Sequence, residues 1–419
     1  MSRCDCATVR LVAALAACWG CSSGKASLEA EAGVELHPSA RRIRLLVSDS
    51  TEASVSVLDL EDEGWVARMA LAEPAALVLT EQREHALLVQ PEAGRVQLLW
   101  SGVSALDHSE GFDSPHVHVY KFEPELLSFS LEAPSPRHVV ARHGVVSLLY
   151  GDLERAELQW FDEAALSAPL PPAVRSFPLP AAAGAAQLAV PERQAFVTAS
   201  AGDPSGPGVM LVDAEGVATL LAPCSEPAAL ANIRGYTIFA CGGALVSVGS
   251  DSEDEPLRSE QLELPGNERA RWLSADEAWP VLLVGAESGR LFAYERELGW
   301  RELKGGGTSC FAAVEPAEGA VALSLDNSGT LQRISLRTGR VEASLAVTAA
   351  FECDAPVRPQ LSLAPQRAFV TEPARGVIHD VVIPPLRQWR TYSGAGNASA
   401  IVVLGVGSAT RNLAVGGAD

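Results

Sequence analysis

The sequence has few basic residues: 32 Lys and Arg stand against 52 Asp and Glu in 419 residues, for a formal net charge of −20. This balance argues against nucleic acid as the main partner, because no basic excess is present to neutralise phosphates. No stretch beyond the N-terminal segment reaches the ~18 apolar residues that a membrane-spanning helix needs. Charged residues are only 20% and hydrophobic residues 47%, so the composition indicates a folded chain with a sizeable core.

Motifs of the common enzyme classes are also missing. The segment Gly405–Thr410 contains Gly-Val-Gly but lacks the third glycine and the following helix of a dinucleotide-binding fingerprint. The run Gly305–Thr308 has no P-loop lysine, and no Gly-x-Ser-x-Gly nucleophile elbow stands out. The sequence therefore predicts a protein that is not an enzyme, with a histidine-dependent hydrolase or lyase as the alternative.

Residues 1–17 are typical of a secretion signal, with Arg3 and Arg10 ahead of an apolar run. The run ends in Leu15-Ala16-Ala17-Cys18, which resembles the bacterial lipoprotein signal. In such signals the cysteine is lipid-modified and becomes the first residue of the mature chain. A plain signal peptide followed by a coincidental cysteine is the alternative.

Residues 18–41 show no apolar periodicity and are predicted to form a flexible tether. Trp19 follows Cys18 where lipoproteins of an inner membrane typically carry Asp, so the outer membrane is favoured. We therefore expect a lipoprotein of the cell envelope that the lipid alone holds at the membrane.

The cysteines of the body of the chain agree with export to an oxidising compartment. Their number is even: Cys224, Cys241, Cys310 and Cys353. Disulfides are the first interpretation, because Cys224 and Cys241 are close enough in sequence to close a hairpin-sized loop, which leaves Cys310 and Cys353 as the second pair. A zinc–thiolate site is the weaker alternative, since no Cys-x-x-Cys pair is present.

One unit recurs along the body of the chain: an apolar strand, a turn with glycine or acidic residues, and a second alternating strand. Examples are RLLVSDSTEASVSVLDL at 44–60, PVLLVGAESGRLFAY at 280–294 and AVALSLDNSGTLQRI at 320–334. The units begin roughly 40–60 residues apart, which is the spacing of four-stranded propeller blades. The sequence thus predicts an all-β chain with a single β-propeller of about eight blades over residues 42–404, and a C-terminal tail over 405–419. Seven blades are the alternative if one unit is an insertion, and a pair of β-sandwiches explains the strands but not the repeat.

Several histidines fall in one short stretch of the chain. His116 and His118 are two residues apart, so on an extended strand both rings point to one side, roughly 7 Å apart at their Cα atoms. His108 and the acids Asp107 and Asp113 are expected on the preceding loop, and the set can supply the nitrogen and oxygen ligands that Zn²⁺ accepts. The alternative is a polar surface loop in which histidines cluster by chance.

His138 is a further candidate ligand, in the segment Pro136-Arg137-His138-Val139-Val140. It is expected to begin an inner strand of the propeller, where side chains often line the central mouth. From there it could approach the same metal ion, and we add it to the predicted zinc ligands.

Four short motifs follow one another between Leu99 and Leu166. They are Asp107-His108 through His116-Val117-His118, Glu123-Pro124-Glu125-Leu126, Pro136-Arg137-His138-Val139-Val140 and Tyr150-Gly151-Asp152. In this order they resemble the AztD-type periplasmic zinc metallochaperones, as do the segments around Cys224 and Cys241 and around His379. The resemblance implies a β-propeller that hands zinc to the solute-binding protein of an ABC importer.

Together these patterns predict a lipid-anchored, monomeric protein of the cell envelope that binds zinc. The expected partners are a membrane, through the lipid, and a zinc solute-binding protein of an ABC importer; no nucleic acid is expected. The alternative is a propeller scaffold that binds another envelope protein and no metal.

Overall fold

Eight four-stranded sheets and one two-stranded ribbon make up the described part of the chain. The computed structural model describes residues 43–405 except 109–115, 133, 137, 143, 152–155, 169–170, 180–182, 190–193, 200–206, 214–216, 225–226, 234, 251–255, 277–278 and 318. The predicted signal sequence, Cys18 and the tether lie outside these residues. Within them, no helix is long and apolar enough to cross a membrane.

The first four blades contain strands from the beginning of the chain and one from its end. Blade 1 consists of β1 (Arg44–Asp49), β2 (Ser54–Asp59), β3 (Gly64–Ala70) and β34 (Ala398–Leu404). Blade 2 consists of β4 (Ala76–Leu79), β5 (His85–Gln90), β6 (Arg95–Trp100) and β9 (Glu125–Glu132), with the ribbon β7 (Val103–His108) and β8 (His116–Lys121) inserted before β9. Blade 3 consists of β10 (His138–Arg142), β11 (Val145–Gly151), β12 (Ala156–Asp162) and β13 (Arg175–Leu179). Blade 4 consists of β14 (Ala183–Ala189), β15 (Gln194–Ala199), β16 (Gly208–Asp213) and β17 (Ala218–Pro223).

Each of the other four blades consists of four strands that are consecutive in the described part of the chain. Blade 5 consists of β18 (Pro227–Ile233), β19 (Tyr236–Cys241), β20 (Ala244–Gly249) and β21 (Arg258–Glu263). Blade 6 consists of β22 (Ala270–Ala275), β23 (Val281–Ala286), β24 (Leu291–Glu295) and β25 (Gly299–Leu303). Blade 7 consists of β26 (Ser309–Val314), β27 (Val321–Asp326), β28 (Thr330–Ser335) and β29 (Val341–Ala346). Blade 8 consists of β30 (Leu361–Ala364), β31 (Arg367–Glu372), β32 (Val377–Val382) and β33 (Arg387–Ser393).

The second strand of a typical blade is buried along its whole length and mostly apolar, because both of its faces are covered. Strands β1, β5, β23, β27 and β31 are buried at every position. The outermost strands β3 and β29 alternate between covered and exposed positions, since only one of their faces meets a neighbouring blade. This difference explains why the first half of each repeat reads as a continuous apolar run.

Apolar clusters between neighbouring blades hold the ring together. One cluster packs Leu45 and Leu58 of blade 1 against Phe369 and Ile378 of blade 8, and a fully buried side chain of this size contributes about 1.5–3 kcal/mol. Seven further clusters join the remaining pairs of adjacent blades. The prediction of eight blades in a single propeller is confirmed.

Blade 1 closes the ring by combining the two ends of the described chain. Strand β34 is its innermost strand and pairs antiparallel with β1, Leu46 opposite Val402. This pairing covers the inner edge of β1, which would otherwise be free to pair with a strand of another chain.

Two disulfides form between the predicted partners. Cys224 bonds to Cys241 and joins the end of blade 4 to β19 of blade 5. Cys310 of β26 bonds to Cys353 in the connection from blade 7 to blade 8. These four sulfurs are therefore not thiolate ligands, which removes the zinc–thiolate alternative for them.

Candidate metal-binding site

The ribbon β7–β8 is an insertion between the third and fourth strands of blade 2. Successive strands of a blade are antiparallel, so β6 ends on the side of the propeller where the innermost strand β4 also ends. We call this side the lower face, and the side where the innermost strands begin the upper face. The ribbon therefore leaves the propeller at the lower face. Residues 109–115, which include the candidate Asp113, lie outside the described residues.

The ribbon brings three of the predicted histidine positions together. Position 108 is the register partner of position 116, and position 118 pairs with Leu106. Directly paired positions share one face of an antiparallel ribbon and successive positions alternate. His108, His116 and His118 thus occupy positions on one face, whereas Asp107 pairs with Val117 on the other.

The structure differs from the sequence prediction in where Asp107 and His108 lie. Both were expected on a loop, but both belong to strand β7. The reason is that the ribbon continues the ladder to its last pair, His108 with His116, before the chain turns. The predicted grouping of Asp107 with the histidines is not supported by this register.

The ribbon positions that carry the histidines share their face of β8 with an exposed residue. Tyr120 follows positions 116 and 118 at the same period of two, and its side chain is 43% exposed. Lys121, on the opposite face, reaches back to blade 1 and donates hydrogen bonds to Asp59 at 2.8 Å and to Glu61 at 2.7 Å. At Tyr120 this face of the ribbon is open to solvent.

A buried arginine holds the root of the ribbon. Arg44 donates to the carboxylate of Asp59 at 2.9 Å, and to the carbonyl oxygens of Ser101 at 2.6 Å and Phe122 at 2.7 Å. Burial raises the pKa of Asp59, but hydrogen bonds from Lys121 and Arg44 outweigh it and leave that pKa below its ordinary value. The ionised Asp59 thus links both strands of the ribbon to blade 1.

Sequence reasoning missed this anchor. Arg44 is 57 residues from Ser101 and 78 from Phe122, and no local pattern connects such positions. The one available signal was compositional: Arg44 is a charged residue directly before the apolar run Leu45–Val47, and a buried charge needs a partner.

His138 belongs to a different part of the molecule. It begins β10, the innermost strand of blade 3, as the sequence predicted, and lines a cavity of about 460 Å³ in the central channel. Its Nε2 atom is buried without a hydrogen-bond partner among the described residues, and burial lowers the pKa of the ring. The ring is therefore neutral, which is the form that binds metal ions.

The lower end of this channel is bridged by a salt bridge. Arg83 of blade 2 and Asp276 of blade 6 approach to 3.9 Å across the cavity that His138 also lines. His138 begins its strand at the upper face, whereas the ribbon leaves from the lower face. We therefore assign His138 to the channel and not to the ribbon's histidine set.

Among the side chains that the structure describes, no three His, Cys, Asp or Glu are grouped so that they could hold a metal ion. The side chains at positions 107, 108, 116 and 118 are outside that description. The predicted zinc site thus rests on the backbone register of the ribbon, and it stays a prediction.

Eight four-stranded blades around a central channel, with the ring closed by the last strand, define the chain as an eight-bladed β-propeller. No protein-family model matches the chain. Over 119 residues it is 29% identical to the zinc chaperone AztD of Citrobacter koseri, a match that spans 28% of this chain and only 24% of that protein.

Solved structures of AztD from the same organism have the same fold. The apo form superposes with a TM-score of 0.76 and a second structure with 0.75, both at 20% identity and covering 86% of this chain and 97% of theirs. Sqt1 of Chaetomium thermophilum, bound to the N-terminus of ribosomal protein L10, is more distant, with a TM-score of 0.53 at 14% identity, covering 80% of this chain and 92% of that one. The resemblance to zinc chaperones that the motifs indicated is confirmed.

Proposed function

We propose that this chain is a zinc-carrying β-propeller of the cell envelope that delivers zinc to the solute-binding protein of an ABC importer. Zinc is its cargo, and the chain is not an enzyme. The lipid on Cys18 holds it at the membrane, with the outer membrane favoured.

One observation carries the proposal: a propeller similar to a zinc chaperone presents an inserted ribbon with three histidine positions on one face. Imidazole nitrogen is a preferred zinc ligand, and a set on one ribbon leaves a coordination position open. A cargo metal has to be reached by the next protein, so an accessible, incomplete ligand set suits transfer better than a closed cage of four cysteines.

Titration calorimetry of the full-length protein with Zn²⁺ tests the proposal. His116→Ala/His118→Ala removes two of the three ribbon histidines and should weaken zinc binding by about a hundredfold or more, because even loss of a supporting contact costs 10–100-fold. Val117→Ala/Val119→Ala changes the opposite face of the same strand and should bind zinc like the parent.

Two results would contradict the zinc assignment. A parent protein with no zinc binding tighter than about 1 mM, near −4 kcal/mol, favours the metal-free scaffold. A histidine double variant that binds zinc as tightly as the parent places the site elsewhere, with His138 in the channel as the next position to change.

The anchor is tested separately by fractionation of cells that express Cys18→Ser. If lipid on Cys18 is the anchor, the variant leaves the membrane fraction while the parent stays in it. A variant that sediments with membranes as the parent does would show that another feature attaches the protein.

A further inference from the structure

An exposed aromatic patch lies at the root of the ribbon. Phe122 is 53% exposed and Tyr120 43% exposed, and Phe122 packs on the Trp100 ring at a centroid distance of 5.6 Å. We call these three residues the aromatic patch. Large exposed aromatic side chains at one place are unusual on a free surface and typical of interfaces between proteins.

The patch is held in a fixed position. The main chain of Phe122 accepts a hydrogen bond from Arg44 and donates one to the carbonyl of Gly102 at 2.7 Å. Gly102 has φ +71° and no room for a side chain, since a Cβ would approach the Phe122 carbonyl to 2.4 Å. A preorganised patch loses less conformational entropy when a partner binds.

Negative charge surrounds the patch. Glu123 and Glu125 are exposed beside Phe122, and Glu125 is the register partner of Trp100. The two cations at the root of the ribbon, Arg44 and Lys121, already pair with acidic groups of blade 1, so they do not offset the two glutamates. An apolar centre with an acidic rim complements an apolar surface rimmed by Lys and Arg.

We propose that the aromatic patch is the docking surface for the protein that receives zinc, and that this acceptor carries an apolar patch with a basic rim. The inference rests on the proposed function. Positions 116, 118, 120 and 122 follow one another at a period of two, so an acceptor seated on Tyr120 and Phe122 lies alongside the histidine positions. The acidic rim disfavours the other candidate, an anionic lipid surface.

The experiment uses zinc-loaded full-length protein and the apo zinc solute-binding protein of the same organism's ABC importer. Transfer is followed by stopped-flow fluorescence, and complex formation without zinc by biolayer interferometry. Tyr120→Ser and Phe122→Ser should each slow transfer and weaken the complex by about tenfold, because buried aromatic anchors dominate interfaces. Their zinc affinity and melting temperature should match those of the parent.

Leu298→Ser is the matched control. Leu298 is 64% exposed and lies in the turn between the third and fourth strands of blade 6, which is the place that the ribbon occupies in blade 2. It should leave transfer and complex formation unchanged. Glu123→Lys/Glu125→Lys should slow association and reduce its dependence on salt.

The outcomes separate this inference from the proposed function. If the parent binds no zinc but forms a complex that Phe122→Ser weakens, the result supports the docking surface and contradicts the proposed zinc delivery. If zinc binds and is transferred at the parent rate by both aromatic variants, the docking surface is wrong. If Cys18→Ser protein binds phosphatidylglycerol vesicles through Phe122 and does not bind the acceptor, the patch is a membrane contact and the inference is overturned.

Discussion

At the scale of single residues, burial gives the histidines of this chain different chemistry. His85 begins β5 with a side chain only 4% exposed, and burial lowers its pKa to about 4. An unfolded histidine titrates near 6.5, so the folded chain favours the neutral ring. Stability from this group is complete above about pH 6.5 and is lost as the pH falls towards 4, by about 3 kcal/mol.

His85→Leu isolates this effect, because leucine fits an apolar strand and does not titrate. Between pH 7 and pH 4 the parent should lose about 3 kcal/mol more unfolding free energy than the variant, measured by urea denaturation at both pH values. Carboxylates elsewhere titrate equally in the two proteins. Equal losses would show that folding does not lower the pKa of His85.

At the scale of elements, a glycine at the root of the ribbon is required both by its backbone conformation and by the atoms packed around it. Gly102 and Gly144 both have φ +71°, but a Cβ on Gly102 would reach the Phe122 carbonyl and the Arg44 guanidinium, whereas one on Gly144 would meet nothing within 4 Å. Comparing an alanine substitution at each glycine therefore separates the energetic cost of a positive φ from the cost of a steric clash.

Gly144→Ala should cost about 1–2 kcal/mol of unfolding free energy, which is the cost of a left-handed conformation for alanine. Gly102→Ala should cost about 1–3 kcal/mol more, since the new methyl group displaces Arg44 from the ribbon. Denaturant titration gives both values, and hydrogen exchange should show faster opening of β7 and β8 in Gly102→Ala alone. Equal costs for the two variants would show that the ribbon makes room for the methyl group on Gly102 without any further loss of unfolding free energy.

At the scale of the whole molecule, one strand closes the ring. Deleting residues 398–419 removes β34, exposes the edge of β1 and uncovers the apolar cluster between blades 8 and 1. The truncated chain should lose its cooperative thermal transition and aggregate, as circular dichroism and size-exclusion chromatography would show. Deleting residues 406–419 removes no described strand and should keep the cooperative transition. Loss of that transition in the shorter deletion as well would contradict the role given to β34.

The repeat and the disulfide partners could be predicted because their signals are local. Each unit contains its own apolar strand and turn, and the first apolar run is the second strand of a blade, covered on both faces. The histidines could be named for the same reason, since positions 116 and 118 need only an extended strand to share a face. The ribbon itself was not predicted, because its strands read like those of any blade.

The sequence by itself determined the periodic alternation of strand and turn, the acidic charge and the cysteine pairs, and it named the predicted zinc ligands. These properties depend on neighbours along the chain. Tertiary structure alone decided that β34 pairs with β1, that Arg44 holds the ribbon, and that His138 lies in the channel away from the other histidines. The physical reason is that hydrogen bonds and packing between distant segments depend on how the blades close into a ring, and no local pattern encodes that closure.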